Sequence, residues 1–298
     1  MFHSTTHFKN WIFVDEDELL RRRQNANDKF RSHYPSIKQN ALTIAEETSL
    51  VNYYSNILKD FCRRFNPVMP RYVTSTALHY LKRFYLNNSV MEYHPKHIMV
   101  TCVYLAAKIE EFNVSMDQFV NNVKGDREKA ADIVLNNELL LMHKLNYQLV
   151  IWHPYRSVEG FFIDIRTRYP ACENPDKYRP IIDGFIDQCL STDIIFILAP
   201  NQIALCALLY AADKSKDSID KYLLILFEGN KDELVSLRKW VTKINEMLKK
   251  IEVPSKNITK QIENKLEFIQ NEITNSKTVK KDTSNNEDDD EDDYVMES

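Results

Sequence analysis

Two segments of this chain share a pattern that few folds can accommodate. Pro95–Lys108 reads PKHIMVTCVYLAAK, and Pro200–Asp213, 105 residues later, reads PNQIALCALLYAAD. Each opens on proline, which suits the first turn of a helix because its missing N–H would have no partner there. Ile98 matches Ile203, Val100 matches Leu205, Val103 matches Leu208, and Ala106–Ala107 match Ala211–Ala212. Apolar side chains surround nearly the whole circumference, which a helix sustains only when neighbours enclose it. The paired alanines let those neighbours approach closely. The repeat therefore predicts two helical units, each a five-helix bundle around its own enclosed helix.

The remaining pattern supplies the enclosing helices. Residues 1–13 read as irregular, and Asp15 caps a predicted helix over about 15–30, acidic in its first turn and basic at Arg21, Arg22 and Arg23. Apolar residues at three- and four-residue spacings predict helices over 44–65 and 70–86. Ser115 caps a short helix, and a further helix runs from about Arg127 to Leu145, with Ala130, Ile133, Val134, Leu139, Leu140 and Met142 on its packing side. NYQLVIWHPY is the one strand-like stretch; without a partner strand it reads as an extended linker. The second unit is expected near 155–168, 176–192, 200–213, 218–226 and 231–250. The boundaries follow: a 1–39 extension, repeats over 40–150 and 151–252, an amphipathic helix over 253–275, and a disordered acidic tail over 276–298. The fold class is all-α.

Composition narrows function by exclusion. Only 4 of 298 residues are glycine, which argues against phosphate-cradling loops. Residues 287–298 hold eight acidic and no basic side chains, leaving 35 Asp+Glu against 39 Lys+Arg elsewhere, about +4. Such a balance does not suit sequence-specific nucleic-acid binding, which needs concentrated positive charge. The five cysteines form no C-x-x-C pair, and Cys62, Cys102 and Cys206 fall in apolar helical patterns, so buried free thiols are expected. No apolar run reaches the length of a membrane span, and no secretory leader is expected. His94 and His97 lack the further ligands a metal needs. The carboxylate pairs Glu46/Glu47 and Glu110/Glu111 imply no acid–base site by themselves, and nothing resembles a nucleophile with its base, so no enzyme activity, cofactor or metal is expected. Arg21–Arg23 and Lys280–Lys281 suit nucleic-acid contact or nuclear addressing, and the arginine triplet equally suits the electrostatics of the first helix.

With those residues in view, PRYVTSTALHYLKRFYLNNSVMEYHPKHIMVTCVYLAAKIEEFNVS, residues 70–115, resembles the heart of a cyclin box, and within the cyclins the H type. RRRQNANDKFR, FNPVMPR, HPYRSVEGFFIDIRTRYP and EDDDEDDYV carry the resemblance over nearly the whole chain. It implies two tandem five-helix cyclin-box repeats flanked by N- and C-terminal helices that pack on the first. It also implies a non-catalytic, nuclear activator of cyclin-dependent kinase 7. The implied partners are that kinase, a RING-finger assembly factor and the core of general transcription and repair factor H. Phosphorylation of other cyclin-dependent kinases and of the RNA polymerase II C-terminal repeats would be the kinase's work.

The resemblance further assigns Lys108, in YLAAKIEE, and Glu138, in LNNELLLMHKL, to holding the kinase helix that carries the active-site glutamate. Glu111, Phe112, Tyr85 and Leu86 are candidate supports. Read from the residues alone, Lys108 and Glu138 are as consistent with pairing to each other, or with a solvated lysine, as with gripping a partner. Residues 48–57, TSLVNYYSNI, lack the arginine and apolar order of the patch by which some cyclins recruit substrates, so that function is not expected. A scaffold of the general transcription factor B class also has two cyclin folds. It would be expected to bring a zinc ribbon and a strongly basic body, and this chain has neither.

Overall fold

The computed structural model describes residues 2–172, 174–250 and 256–284, with side chains through residues 2–172, 174–249 and 257–274. No strand occurs among the described residues. The N-terminal extension holds α1 (Thr6–Trp11) and α2 (Glu16–His33). The first unit holds α3 (Ile44–Arg64), α4 (Arg71–Asn87), α5 (Pro95–Ile109), α6 (Met116–Asn121) and α7 (Arg127–Lys144). The second holds α8 (Pro154–Arg168), α9 (Arg179–Cys189), α10 (Pro200–Lys214), α11 (Asp220–Leu226) and α12 (Lys231–Lys250), and α13 (Lys256–Ser284) follows. The acidic residues 287–298 lie outside the described residues.

Local chemistry starts these helices where the sequence suggests. Asp15 accepts from the Glu18 N–H, and Ser115 forms a reciprocal cap with Gln118. Thr43 and Glu46 do the same for α3. Each such cap is worth about 1 kcal/mol. The two enclosed helices behave alike. Ile98, Cys102, Val103 and Ala106 on α5 are buried, as are Ile203, Ala207, Leu208 and Ala211 on α10. α5 packs against α3, α4 and α7, and α10 against α8, α9 and α12. Their C-termini close in the same way. Phe112 N–H bonds Ala107 O at 2.9 Å beside Glu111 at φ 56°, and Asp217 N–H bonds Ala212 O at 3.0 Å beside Lys216 at φ 58°. Both are left-handed turns that satisfy carbonyls the helix leaves open, and they preserve the 105-residue offset.

Three readings need correction. Residues 1–13 are not irregular: a 3₁₀ turn over Phe2–Ser4 leads into α1, capped by Thr5. Tertiary contacts order this weak local pattern, since Trp11 and Phe13 are buried and Trp11 Nε1 donates to Gln148 Oε1 at 2.7 Å. The N-terminal extension does not rest on the first repeat alone. Phe13 N–H bonds Phe196 O at 2.7 Å, and Arg23 on α2 makes a two-pronged pair with Asp193, at 2.8 and 2.9 Å, in the second repeat. Leu139 is not on the packing side of α7; it is 64% exposed, while Ala130, Val134 and Leu141 are buried.

α13 packs on α3. The spacing predicts Ile258, Ile262, Leu266 and Ile269 on one face; the last three are buried together with Ile273, while Ile258 is 51% exposed. Tyr54 donates to Glu263 at 2.7 Å and Lys265 pairs with Glu46 at 2.6 Å, so α13 contacts the stretch 48–57 and its flank.

Candidate functional site

Lys108 is the first charged side chain after the enclosed run of α5, and it sits where the helix emerges from its neighbours. Its stem passes Tyr104, one turn earlier, with Nζ 5.3 Å from the ring centroid. Its ammonium meets Glu138 Oε1 on the adjacent α7 at 2.6 Å. The structure thus brings together the two residues singled out from the sequence, and in the chain alone they pair with each other. The Lys108 side chain is 49% exposed and that of Glu138 15%. Water reaches the cation, so the pair is held loosely and can be traded for a partner's groups.

Apolar side chains border this pair. On α7, Leu135 and Leu139 are 59% and 64% exposed and lie one turn apart on the side that carries Glu138. Ile109, next to Lys108, is 39% exposed. Exposed leucines beside a charge pair leave apolar area for another surface to bury. Sequence reasoning missed Leu135 and misassigned Leu139 because α7 is apolar on more than one side. The available signal was an excess of leucine beyond what one packing face needs.

The supporting candidates divide. Glu111 is exposed in the left-handed turn after α5. Phe112 is half-buried against Phe65, with ring centroids 6.5 Å apart. Tyr85 and Leu86 are buried and do not support the site by contact. α4 and α5 form an antiparallel hairpin, so the end of α4 lies beside the start of α5, where the Tyr85 hydroxyl donates to Tyr93 O at 2.7 Å. Lys108 is at the opposite end.

Beside the pair, a cleft of about 1130 Å³ opens between the repeats, lined in part by Tyr72, Ile109, Val150, Arg71, Arg156 and Asp183. Glu110 stands at its edge and turns inward, away from Glu111. Its carboxylate accepts from Thr76 Oγ1 at 2.5 Å and lies 3.2 Å from His153 Nε2. Burial alone would raise the Glu110 pKa, but hydrogen bonds from His153 and Thr76 outweigh it and hold the carboxyl below its usual range.

The other candidate chemistry resolves into structure. Glu47 accepts from Asn27, Ser89 and the Val90 N–H, and Glu46 belongs to the α3 cap, so that carboxylate pair is taken up by the fold. His94 accepts the Lys96 N–H and caps α5. Burial pushes the Cys62 and Cys206 thiols up to about 12. No cluster of metal-ligating side chains occurs among the described residues, and none of their helices is long and apolar enough to cross a membrane.

Residues 18–150 match the cyclin N-terminal domain and residues 153–250 the cyclin C-terminal domain. The chain belongs to the cyclin family. It is 41% identical to cyclin-H of Xenopus laevis over 85% of this chain and 81% of that protein, which bears out the H-type resemblance. It is 33% identical to cyclin mcs2 of Schizosaccharomyces pombe over 70% and 68%. Among solved structures, it matches a chain of the yeast TFIIK (Kin28/Ccl1/Tfb3) complex with a TM-score of 0.66 and 26% identity, covering 83% of this chain and 99% of that one. A chain of the Chaetomium thermophilum CAK complex bound to ATP-gamma-S shares the fold, at a TM-score of 0.75 and 21% identity over 99% and 98%. As a cyclin, this protein is a regulatory subunit and not an enzyme.

Proposed function

We propose that this cyclin binds and activates a kinase of the cyclin-dependent kinase 7 type by holding the kinase helix that bears the active-site glutamate. The observation that carries the reading is the loosely held Lys108–Glu138 pair at the end of the enclosed helix, bordered by exposed Ile109, Leu135 and Leu139. On docking, the apolar rim loses water, and the two charges exchange their mutual bond for polar groups of the partner helix. A kinase helix fixed inward lets its glutamate pair with the lysine that orients the nucleotide. The cyclin acts as a ligand that favours the competent kinase state. Likeness to complexes containing a kinase, a cyclin and a third chain supports the proposal that a RING-finger assembly factor joins the pair. In this reading the trio works in the nucleus within general transcription and repair factor H, phosphorylating other cyclin-dependent kinases and the RNA polymerase II C-terminal repeats.

The test is co-purification and an activity titration with the purified candidate kinase, with and without the assembly factor. Saturable binding with a rise in kinase activity is the expected result. A kinase that neither co-purifies nor gains activity overturns the reading.

A further inference from the structure

One polar knot joins the docking end of α5 to the start of the second repeat. His153 is the last residue before α8, whose first residue is Pro154. Its imidazole sits between α4 and the α5 terminus, with Nδ1 3.0 Å from Ser75 Oγ and Nε2 3.1 Å from Thr76 Oγ1 and 3.2 Å from Glu110 Oε1. Thr76 also donates to that carboxylate at 2.5 Å. The arrangement assigns the ring proton to Nε2, shared between Glu110 and Thr76, and leaves Nδ1 to accept from Ser75. The His153 and Glu110 side chains are 10% and 19% exposed, so water competes little for these bonds. Arg156 and the rings of His79 and Tyr155 complete the surroundings.

Glu110 caps α5 two residues beyond Lys108. Lys108 reaches outward to α7 while Glu110 reaches inward to His153, so the same helical turn carries the docking cation and the tie to the second repeat. We infer that Glu110, Thr76 and His153 are positioning residues for kinase activation: they fix the last turn of α5, and with it Lys108, relative to the second repeat across the cleft. The inference rests on the docking reading above. A kinase that contacts both Lys108 and the far wall of the cleft requires these two surfaces in fixed relation. Loosening the knot forces binding to select one arrangement from several.

The test is a double-mutant cycle in the full chain, read as the cyclin concentration for half-maximal kinase activation, with melting temperature as the control. Glu110→Ala should raise that concentration about tenfold, within the range of coupled neighbours, and Glu110→Gln, which keeps an acceptor, less than about threefold. Thr76→Val, a smaller change that spares the carboxylate, should act in the same direction. In the Lys108→Ala background, Glu110→Ala should add less than about twofold, because its effect passes through Lys108. Fully additive effects, or Glu110→Ala and Thr76→Val curves that superimpose on wild type while Lys108→Ala is impaired, overturn this inference and leave the docking reading intact. A neutral Lys108→Ala overturns the docking reading, and this inference falls with it.

Discussion

Replacing Lys108 by alanine separates the fold from the function because the two effects differ in size. The lysine side chain is 49% exposed, so its pair with Glu138 falls in the surface class, at about 0.2–1 kcal/mol. The contact with Tyr104 adds a similar amount before screening. A total near 1 kcal/mol corresponds to a fall in melting temperature of about 2–4 °C for a domain of this size. In the kinase complex the same ammonium would be desolvated, and removing one member of a buried hydrogen-bonded charge pair costs about 2–5 kcal/mol. That is a rise in half-maximal activating concentration of roughly 30-fold to several thousand-fold. Glu138→Ala should behave in the same way. Differential scanning calorimetry and a kinase activity titration measure the two numbers on one preparation. A melting temperature lowered by more than about 10 °C, with an activation curve superimposed on wild type, would refute the reasoning, since it would make the pair structural.

Exchanging the charges, as Lys108→Glu with Glu138→Lys, should leave melting within about 3 °C of wild type while abolishing activation; retained activation would show that the partner does not read polarity. Burial, with Arg83 and His153 nearby, holds His7 down to about 3 from 6.5, so only the unfolded chain takes up this proton between those values. Stability is therefore full above about 6.5 and falls as pH drops, by roughly 1 kcal/mol per pH unit from this residue; thermal melts from pH 7 to 5 should show at least this slope, because burial lowers His79 and His94 as well, and His7→Asn should reduce it. Arg23→Ala removes a two-pronged pair and leaves Asp193 with Lys82 at 3.9 Å; with side chains about a quarter exposed, the cost should be about 2 kcal/mol by urea unfolding.

Legibility followed locality. Pro95, Pro200 and the paired alanines announce α5 and α10 because an enclosed helix is apolar all round, and a cap such as Ser115–Gln118 is written within four residues. The first helix was hidden because Thr6–Trp11 is held by Gln148 and by Trp152, whose N–H bonds His7 Nδ1 at 3.1 Å, both more than 130 positions away. Lys108 and Glu138 were legible as types in a resembling string, but their mutual bond is a fact of α5 lying against α7. Tyr85 and Leu86 are buried at the end of the hairpin away from Lys108 for the converse reason: closeness along the chain to α5 does not survive an antiparallel hairpin.

The two repeats share a scaffold and differ in what its end presents. Asp213 occupies the position in α10 that Lys108 holds in α5, and the turns that follow have a left-handed residue at the same position and the same hydrogen bond. At this one position the charge is therefore inverted in the second repeat: Asp213 pairs with Arg238 of α12 at 3.4 Å, whereas Lys108 pairs with Glu138 of α7 at 2.6 Å. Geometry alone would give a partner two equivalent places to dock. Polarity removes the ambiguity, because groups that complement an ammonium are repelled by a carboxylate at the equivalent point. An enclosed helix can show only its ends, so the residues at its terminus distinguish one copy of the fold from the other while both cores remain alike.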